Sequence, residues 1–243
     1  MIDGARMMDE GEGAEWRELR AFWVPPRRRS LGKYVYETLK EAIVTGELPE
    51  GRRVVESRVA AALGISRTPV REAIHMLDRE GLLTRTGNTG YAVTALSREE
   101  IVETFGIRGI LESYAARLAA ARHRQRDLRS LEERIETYQM HLDAGRLDAL
   151  STINTEFHDL LYALSGSPRL VKMINDLRDP IYRFRRIILK RTDLARRSNE
   201  DHREMLRLMR ERDEEGVERV VREHIRRGRD AVLAEFDEEH RND

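Results

Sequence analysis

Three of the chain's 7 histidines fall on the apolar stripes of helical segments, where water cannot satisfy their rings. His158 keeps helical spacing with Asn154, Phe157 and Leu161, His202 with Met205, Leu206 and Met209, and His224 with Val217, Val220, Val221 and Gly228. Each ring therefore faces whatever its helix packs against. A single histidine so placed is an ordinary hydrogen-bonded core residue; three on separate helices can instead converge on a divalent metal, which neutral imidazole binds well. Cysteine is absent. That excludes a thiolate metal site, an iron–sulfur cluster, a disulfide scaffold and thiol catalysis, so any metal takes histidine and oxygen ligands.

A second group of residues lies on the outer face of another helix. Val70, Ala73, Ile74 and Leu77 follow the i, i+3, i+4, i+7 pattern of a buried stripe, which turns Arg67, Arg71 and His75 outward in one row. Arginine in the first turns of such a helix offers its fork to guanine O6 and N7 in a major groove. Ser66 in the N-cap position, Thr68 and the free N-terminal amides suit phosphate oxygens, and Pro69 is tolerated in the first turn. The competing reading is a small helical domain with a charged exterior, against which the hairpin downstream weighs.

The elements that must position these residues follow from the turn signals. Lys33 to Thr45 reads as a helix stopped by Gly46 and the Pro49-Glu50-Gly51 turn, and Glu56 to Leu63 as a second, short one. Gly64-Ile65 turns into the third helix, which Gly81 ends. Leu82 to Thr86 and Tyr91 to Thr94 are two strands around the tip Gly87-Asn88-Thr89-Gly90, a hairpin wing. Ser97-Arg98-Glu99-Glu100 is a capping box for a helix with Ile107, Ile110, Leu111, Tyr114, Ala115 and Leu118 on one stripe. Further helices fit Asp127 to Asp143, Asp148 to Ser165, Pro168 to Lys190, Asn199 to Arg212 and Glu214 to Asp237.

The expected fold is mainly α, with a winged helix-turn-helix domain at 30–96 and an antiparallel bundle of six or seven helices at 97–243. Residues 1–29, with glycine and acidic clusters before Pro25-Pro26-Arg27-Arg28-Arg29, read as a poorly ordered arm. Lys plus Arg and Asp plus Glu both number 44, yet Arg27 to Leu96 holds 12 basic against 8 acidic residues, so the basic excess sits in one block. No apolar run reaches the roughly 20 residues of a membrane helix or forms a signal-peptide core, and the expected location is the cytoplasm.

The segment Gly51 to Leu83, with Glu56, Ala60-Ala61-Ala62-Leu63-Gly64-Ile65, Leu77 to Leu83 and above all Ser66-Arg67-Thr68-Pro69-Val70-Arg71-Glu72-Ala73, resembles the winged helix-turn-helix domain of the GntR family of bacterial transcription regulators. The resemblance implies that Ser66, Arg67, Thr68 and Arg71 of the recognition helix, with Gly87 and Asn88 of the wing tip, touch operator DNA. A basic contact from the second helix falls at Ser57 in this chain, and Arg58 beside it is the expected substitute.

The strings Asn154-x-x-Phe157-His158, Glu200-Asp201-His202, Glu223-His224-Ile225 and Ile107-Arg108-x-x-Leu111-Glu112 resemble the ligand-binding domain of the FadR subgroup of that family. There a carboxylate four residues before the first histidine joins three histidines around a divalent metal of the Zn, Ni or Mn type, beside a small organic acid. The resemblance thus implies a site of Asn154, His158, His202 and His224, with a neutral amide in the carboxylate's place. Three imidazoles and an amide leave the ion's charge uncompensated, so a carboxylate effector is expected to complete the site. Arg108 is either its bidentate partner or the ion-pair partner of Glu112 one turn on. The expected protein is a dimeric repressor of a near-palindromic operator on double-stranded DNA, released by a small carboxylate, with no membrane partner. A sensor of the metal itself and a metal-dependent enzyme are the alternatives.

Overall fold

The computed structural model describes residues 30–87, 90–95, 97–177, 188–189 and 191–241. The expected N-terminal arm and Asn88 lie outside the described residues. The chain divides into two compact units, Met1–Ala95 and Leu96–Asp243.

In the first unit α1 (Leu31–Val44) is followed by β1 (Arg53–Val54), α2 (Glu56–Leu63), α3 (Arg67–Arg79), β2 (Leu83–Thr86) and β3 (Gly90–Val93). Gly64 ends α2 in the left-handed conformation, at φ +67°, and makes the turn between the two helices. The core joins Val35, Leu39 and Ile43 of α1 to Val59 and Leu63 of α2 and Val70, Ile74 and Leu77 of α3. The wing is more than the expected hairpin. β1 pairs antiparallel with β3, opposing Val54 to Tyr91, and gives a three-stranded sheet of order β1-β3-β2. Two residues are too few to display an alternating pattern, so β1 is set by its partner strand.

The second unit contains α4 (Arg98–Arg122), α5 (Leu128–Asp143), α6 (Leu147–Ala163), α7 (Pro168–Asp176), α8 (Thr192–Glu211) and α9 (Glu214–Glu239). The capping box forms: the Ser97 hydroxyl accepts from the Glu100 amide, and the Glu100 carboxylate accepts from the Ser97 amide. α9 runs along α4, α8 packs on α5 and α9, and α5 pairs with α6. The helix expected over Pro168 to Lys190 is described only to Asp176, with its cap at Leu177; residues 178–187 and Lys190 lie outside the described residues.

The expected stripe of α4 is corrected. Ile107, Ile110 and Tyr114 are 41%, 67% and 51% exposed. Ala115 of that stripe is buried and Leu111 and Leu118 pack against the core, but the buried arc runs through Ile101, Phe105, Arg108, Glu112, Ser113, Ala115, Ala116, Ala119 and Ala120. Alanines allow the long α9 to lie close along α4, so close helix packing, not side-chain hydrophobicity, decides which face turns inward.

Candidate functional site

In the first unit Ser66, Arg67, Thr68, Arg71 and His75 are all exposed on α3, opposite its buried stripe. Ser66 occupies the N-cap, but its side chain makes no capping hydrogen bond. Its hydroxyl and the first amides of α3 are thus available to an anion. Both arginines converge on Glu56 in the first turn of α2. The Glu56 carboxylate accepts from Arg71 Nε and Nη2, at 3.1 Å each, and from Arg67 Nη2 at 3.4 Å. The Arg71 hydrogen bond holds the Glu56 carboxyl below its usual range.

A concave surface runs from these residues to the wing, lined by Glu56, Ser57, Arg67, Arg71, His75, Arg85, Gly87 and Tyr91. Gly87 turns the wing at φ +61°, a conformation that favours glycine. Arg85 was missed by sequence reasoning: it stands on β2, stacks over Tyr91 with its guanidinium 5.7 Å from the ring centre, and donates to the Tyr91 hydroxyl at 3.2 Å. Ser57 lines the concavity, and Arg58, although exposed, is outside it. The face is shaped and charged to receive a polyanion, with arginines on the helix and on the wing.

In the second unit, helices α6, α8 and α9 bring His158, His202 and His224 together. Their candidate ligand nitrogens all lie within 4.8 Å of one another. The ring centres are separated by 5.1 Å, 5.2 Å and 5.5 Å. Nitrogens around a tetrahedral zinc stand about 3.4 Å apart, so small side-chain rotations close the set on an ion. His158 and His202 are each 1% exposed, while His224 stands nearer the surface. Phe157 supports the group, its ring stacked 4.1 Å from that of His202.

Hydrogen bonds around the cluster fix two of the three tautomers. The Tyr162 hydroxyl donates to the Glu112 carboxylate, which also accepts from Arg108 Nε at 2.8 Å. With that proton committed, the hydroxyl oxygen accepts from His158 Nδ1, 2.9 Å away. Asp201 accepts from His224 Nδ1 at 3.0 Å and pairs with Arg227 and Arg197. Burial alone would raise the Asp201 carboxyl, but the His224 and Arg227 hydrogen bonds outweigh it and hold the group below the usual carboxylate range. In both histidines Nδ1 is the donor, so Nε2 carries the lone pair that a cation takes.

Asn154 sits one turn before His158 on α6, buried, with its amide oxygen accepting from Ser198 Oγ at 3.3 Å. Asn154 and His224 line a cavity shared with Phe105, Arg108, Ser198, Ile225 and the Asp201 cluster. Arg108 both faces this cavity and holds Glu112, so its two expected roles meet in one side chain. Among the described residues, the three arginines that line the cavity are each paired: Arg108 with Glu112, Arg197 with Glu200 and Asp201, and Arg227 with Asp201 and Glu223. Tyr182, Arg183, Arg185 and Arg186 lie outside the described residues. Sequence reasoning missed Tyr162, Asp201 and Ser198. Only Tyr162 left a signal, being one helical turn from His158.

Comparison with known proteins bears on both units. Residues 31–93 match the gntR family of bacterial regulatory proteins, and residues 103–227 match the FCD domain. The chain is 31% identical to the Nta operon transcriptional regulator of Aminobacter aminovorans over 75% of this chain and 85% of that one. It is 31% identical to a probable D-xylose utilization operon transcriptional repressor of Paenarthrobacter nicotinovorans, over 62% and 66% of the two chains. Among solved structures it is similar to E. coli McbR/YncC, with a TM-score of 0.72 and 25% identity over 86% of this chain and all of the other. No helix among the described residues is long and apolar enough to cross a membrane. The chain belongs to the GntR family of bacterial regulatory proteins and is a transcriptional regulator, with a DNA-binding helix-turn-helix unit and an FCD effector domain.

Proposed function

We propose that this protein is a homodimeric repressor of the FadR type, whose affinity for operator DNA is set by a small carboxylate bound with a divalent metal in the helical unit. Arg67 and Arg71 read bases in the major groove, Ser66 and Thr68 hold phosphates, and Gly87, Asn88 and Arg58 contribute flanking contacts. Two copies reading equivalent half-sites make the operator near-palindromic.

His158, His202 and His224, with Asn154 as a neutral oxygen donor, would hold an ion of the Zn, Ni or Mn type, which would supply a positive centre for a carboxylate. The observation that carries this reading is the convergence of three histidines, of which His224 lines the cavity, with Nδ1 of His158 and of His224 tied to acceptors. The arginines on the cavity wall suit an anion, and Arg108 is its expected fork. An effector that binds the DNA-competent state about 100-fold more weakly than the alternative supplies about 2.7 kcal/mol of coupling, enough to empty an operator. The cavity is assigned to sensing rather than to catalysis.

A second reading, in which the ion itself is the signal, is favoured by the engagement of Arg108 Nε with Glu112, which gives the guanidinium a partner without any effector. Titration of operator binding with metal alone separates the two. The test of the main reading is capture of sheared genomic DNA by the purified protein, followed by sequencing. A few sites sharing a near-palindrome are expected; diffuse capture across the genome would contradict it.

A further inference from the structure

We infer that Glu56 is a specificity-determining positioning residue, which clamps Arg71 so that only one edge of its guanidinium is presented to a base. The inference rests on the reading of Arg71 as a base contact and adds a residue from a different helix to it. The geometry is one-sided: both Glu56 oxygens lie 3.1 to 3.2 Å from Arg71 Nε, and one of them lies 3.1 Å from Nη2. That is the side-on grip of a carboxylate on the Nε edge. A guanidinium has two edges able to make paired hydrogen bonds to guanine, Nε with Nη2 and Nη1 with Nη2. Glu56 takes the first, which leaves the end-on edge for O6 and N7.

Arg67 touches the same carboxylate with a single, longer contact at 3.4 Å. The two arginines, one turn apart on α3, are therefore not equivalent: Arg71 is held and Arg67 is loosely tethered. Glu56 is anchored for this task at the start of α2, where the helix N-terminus favours its charge. It is also more shielded than its partners, its side chain 21% exposed against 54% for Arg71. An unclamped arginine samples many rotamers and accepts several bases, or phosphate, at its tip; a clamped one pays less entropy on binding and accepts one.

A carboxylate beside a DNA-facing surface repels phosphate, so Glu56 lowers affinity for DNA in general while raising discrimination. This opposition separates positioning from a merely structural role. The experiment is selection from a library of randomised duplexes with the full chain and with Glu56→Gln, Arg71→Ala and the double variant, followed by affinity measurements on the selected and on scrambled duplexes. Glu56→Gln keeps the shape and removes the charge, and circular dichroism confirms that each variant is folded. Glu56→Ala repeats the test without any side-chain acceptor.

The expected result is that Glu56→Gln loses base preference, by about tenfold, at the same position that Arg71→Ala loses it. Binding to scrambled duplex stays equal or rises, and Glu56→Gln adds no further loss of preference in the Arg71→Ala background. An unchanged motif in Glu56→Gln and Glu56→Ala would overturn the clamp while leaving Arg71 as a reader. Loss of preference at a different position would show that Glu56 contacts a base itself, and would overturn it too. If Arg71→Ala leaves the motif intact, the reading of Arg71 as a base contact fails, and the clamp fails with it.

Discussion

The Tyr162 hydroxyl stands 2.9 Å from Nδ1 of His158, one turn back on the same helix, and donates its own hydrogen bond to Glu112. That relationship sets which nitrogen of His158 faces the cluster, and it links the histidine to Arg108 on the cavity wall through Glu112. Tyr162→Phe removes the acceptor without changing the ring. The variant should bind divalent metal about 10- to 100-fold more weakly, as found for partners that orient a ligating histidine. Competition against a chromophoric chelator measures this, and an unchanged affinity would show that the tyrosine only packs.

Asn154→Asp and His202→Ala should move metal binding in opposite directions. The aspartate supplies a negative oxygen where the amide is neutral, so the purified variant should retain more metal after dialysis than the parent. His202→Ala removes one of three nitrogens and should retain little. Equal metal content in all three proteins would mean that the histidines are core residues.

Removal of Arg108 should cost stability as well as response. Its guanidinium and the Glu112 carboxylate are 6% and 1% exposed, so Arg108→Ala leaves a carboxylate buried without its main counter-charge. The loss is expected at about 3–5 kcal/mol in urea denaturation. The Arg108→Met, Glu112→Gln double variant, which removes both charges and roughly keeps volume, should recover much of it. A neutral Arg108→Ala variant would contradict the buried ion pair.

On the DNA-binding face, Arg67→Ala should weaken the preferred duplex by about 1–3 kcal/mol and relax one base position. Thr68→Ala should weaken every duplex by a similar factor, because a phosphate contact carries no sequence information. Fluorescence anisotropy on matched and single-mismatch duplexes distinguishes the two patterns.

The first unit was legible because its determinants are local: the stripe of Val70, Ala73, Ile74 and Leu77 and the turns at Gly64 and Gly81 each act within a few residues. The three histidines were legible for the same reason, since each declares its buried side by spacing on its own helix. Their partners were not. Asp201 lies 23 positions from His224, and Glu112 lies 50 from Tyr162, so those contacts exist only once the helices have packed. The inward face of α4 was misjudged because Ile107, Ile110 and Tyr114 outweigh alanine in hydrophobicity, whereas the close approach of α9 requires alanine. Glu56 belongs to the segment that carries the family resemblance, but its link to Arg71 was not legible, because it spans two helices and the turn between them.

The central claim is that ligation in the helical unit controls the grip of the helix-turn-helix unit on DNA. Its most direct test is the affinity of the full chain for a captured operator, measured by anisotropy at fixed salt with the protein metal-free, zinc-loaded, and zinc-loaded in the presence of a panel of small carboxylic acids. The account predicts that at least one acid weakens the zinc-loaded complex by tenfold or more, and that His202→Ala abolishes this effect while keeping operator affinity. Operator affinity that stays unchanged or tightens with every acid, or that responds equally in His202→Ala, would contradict it.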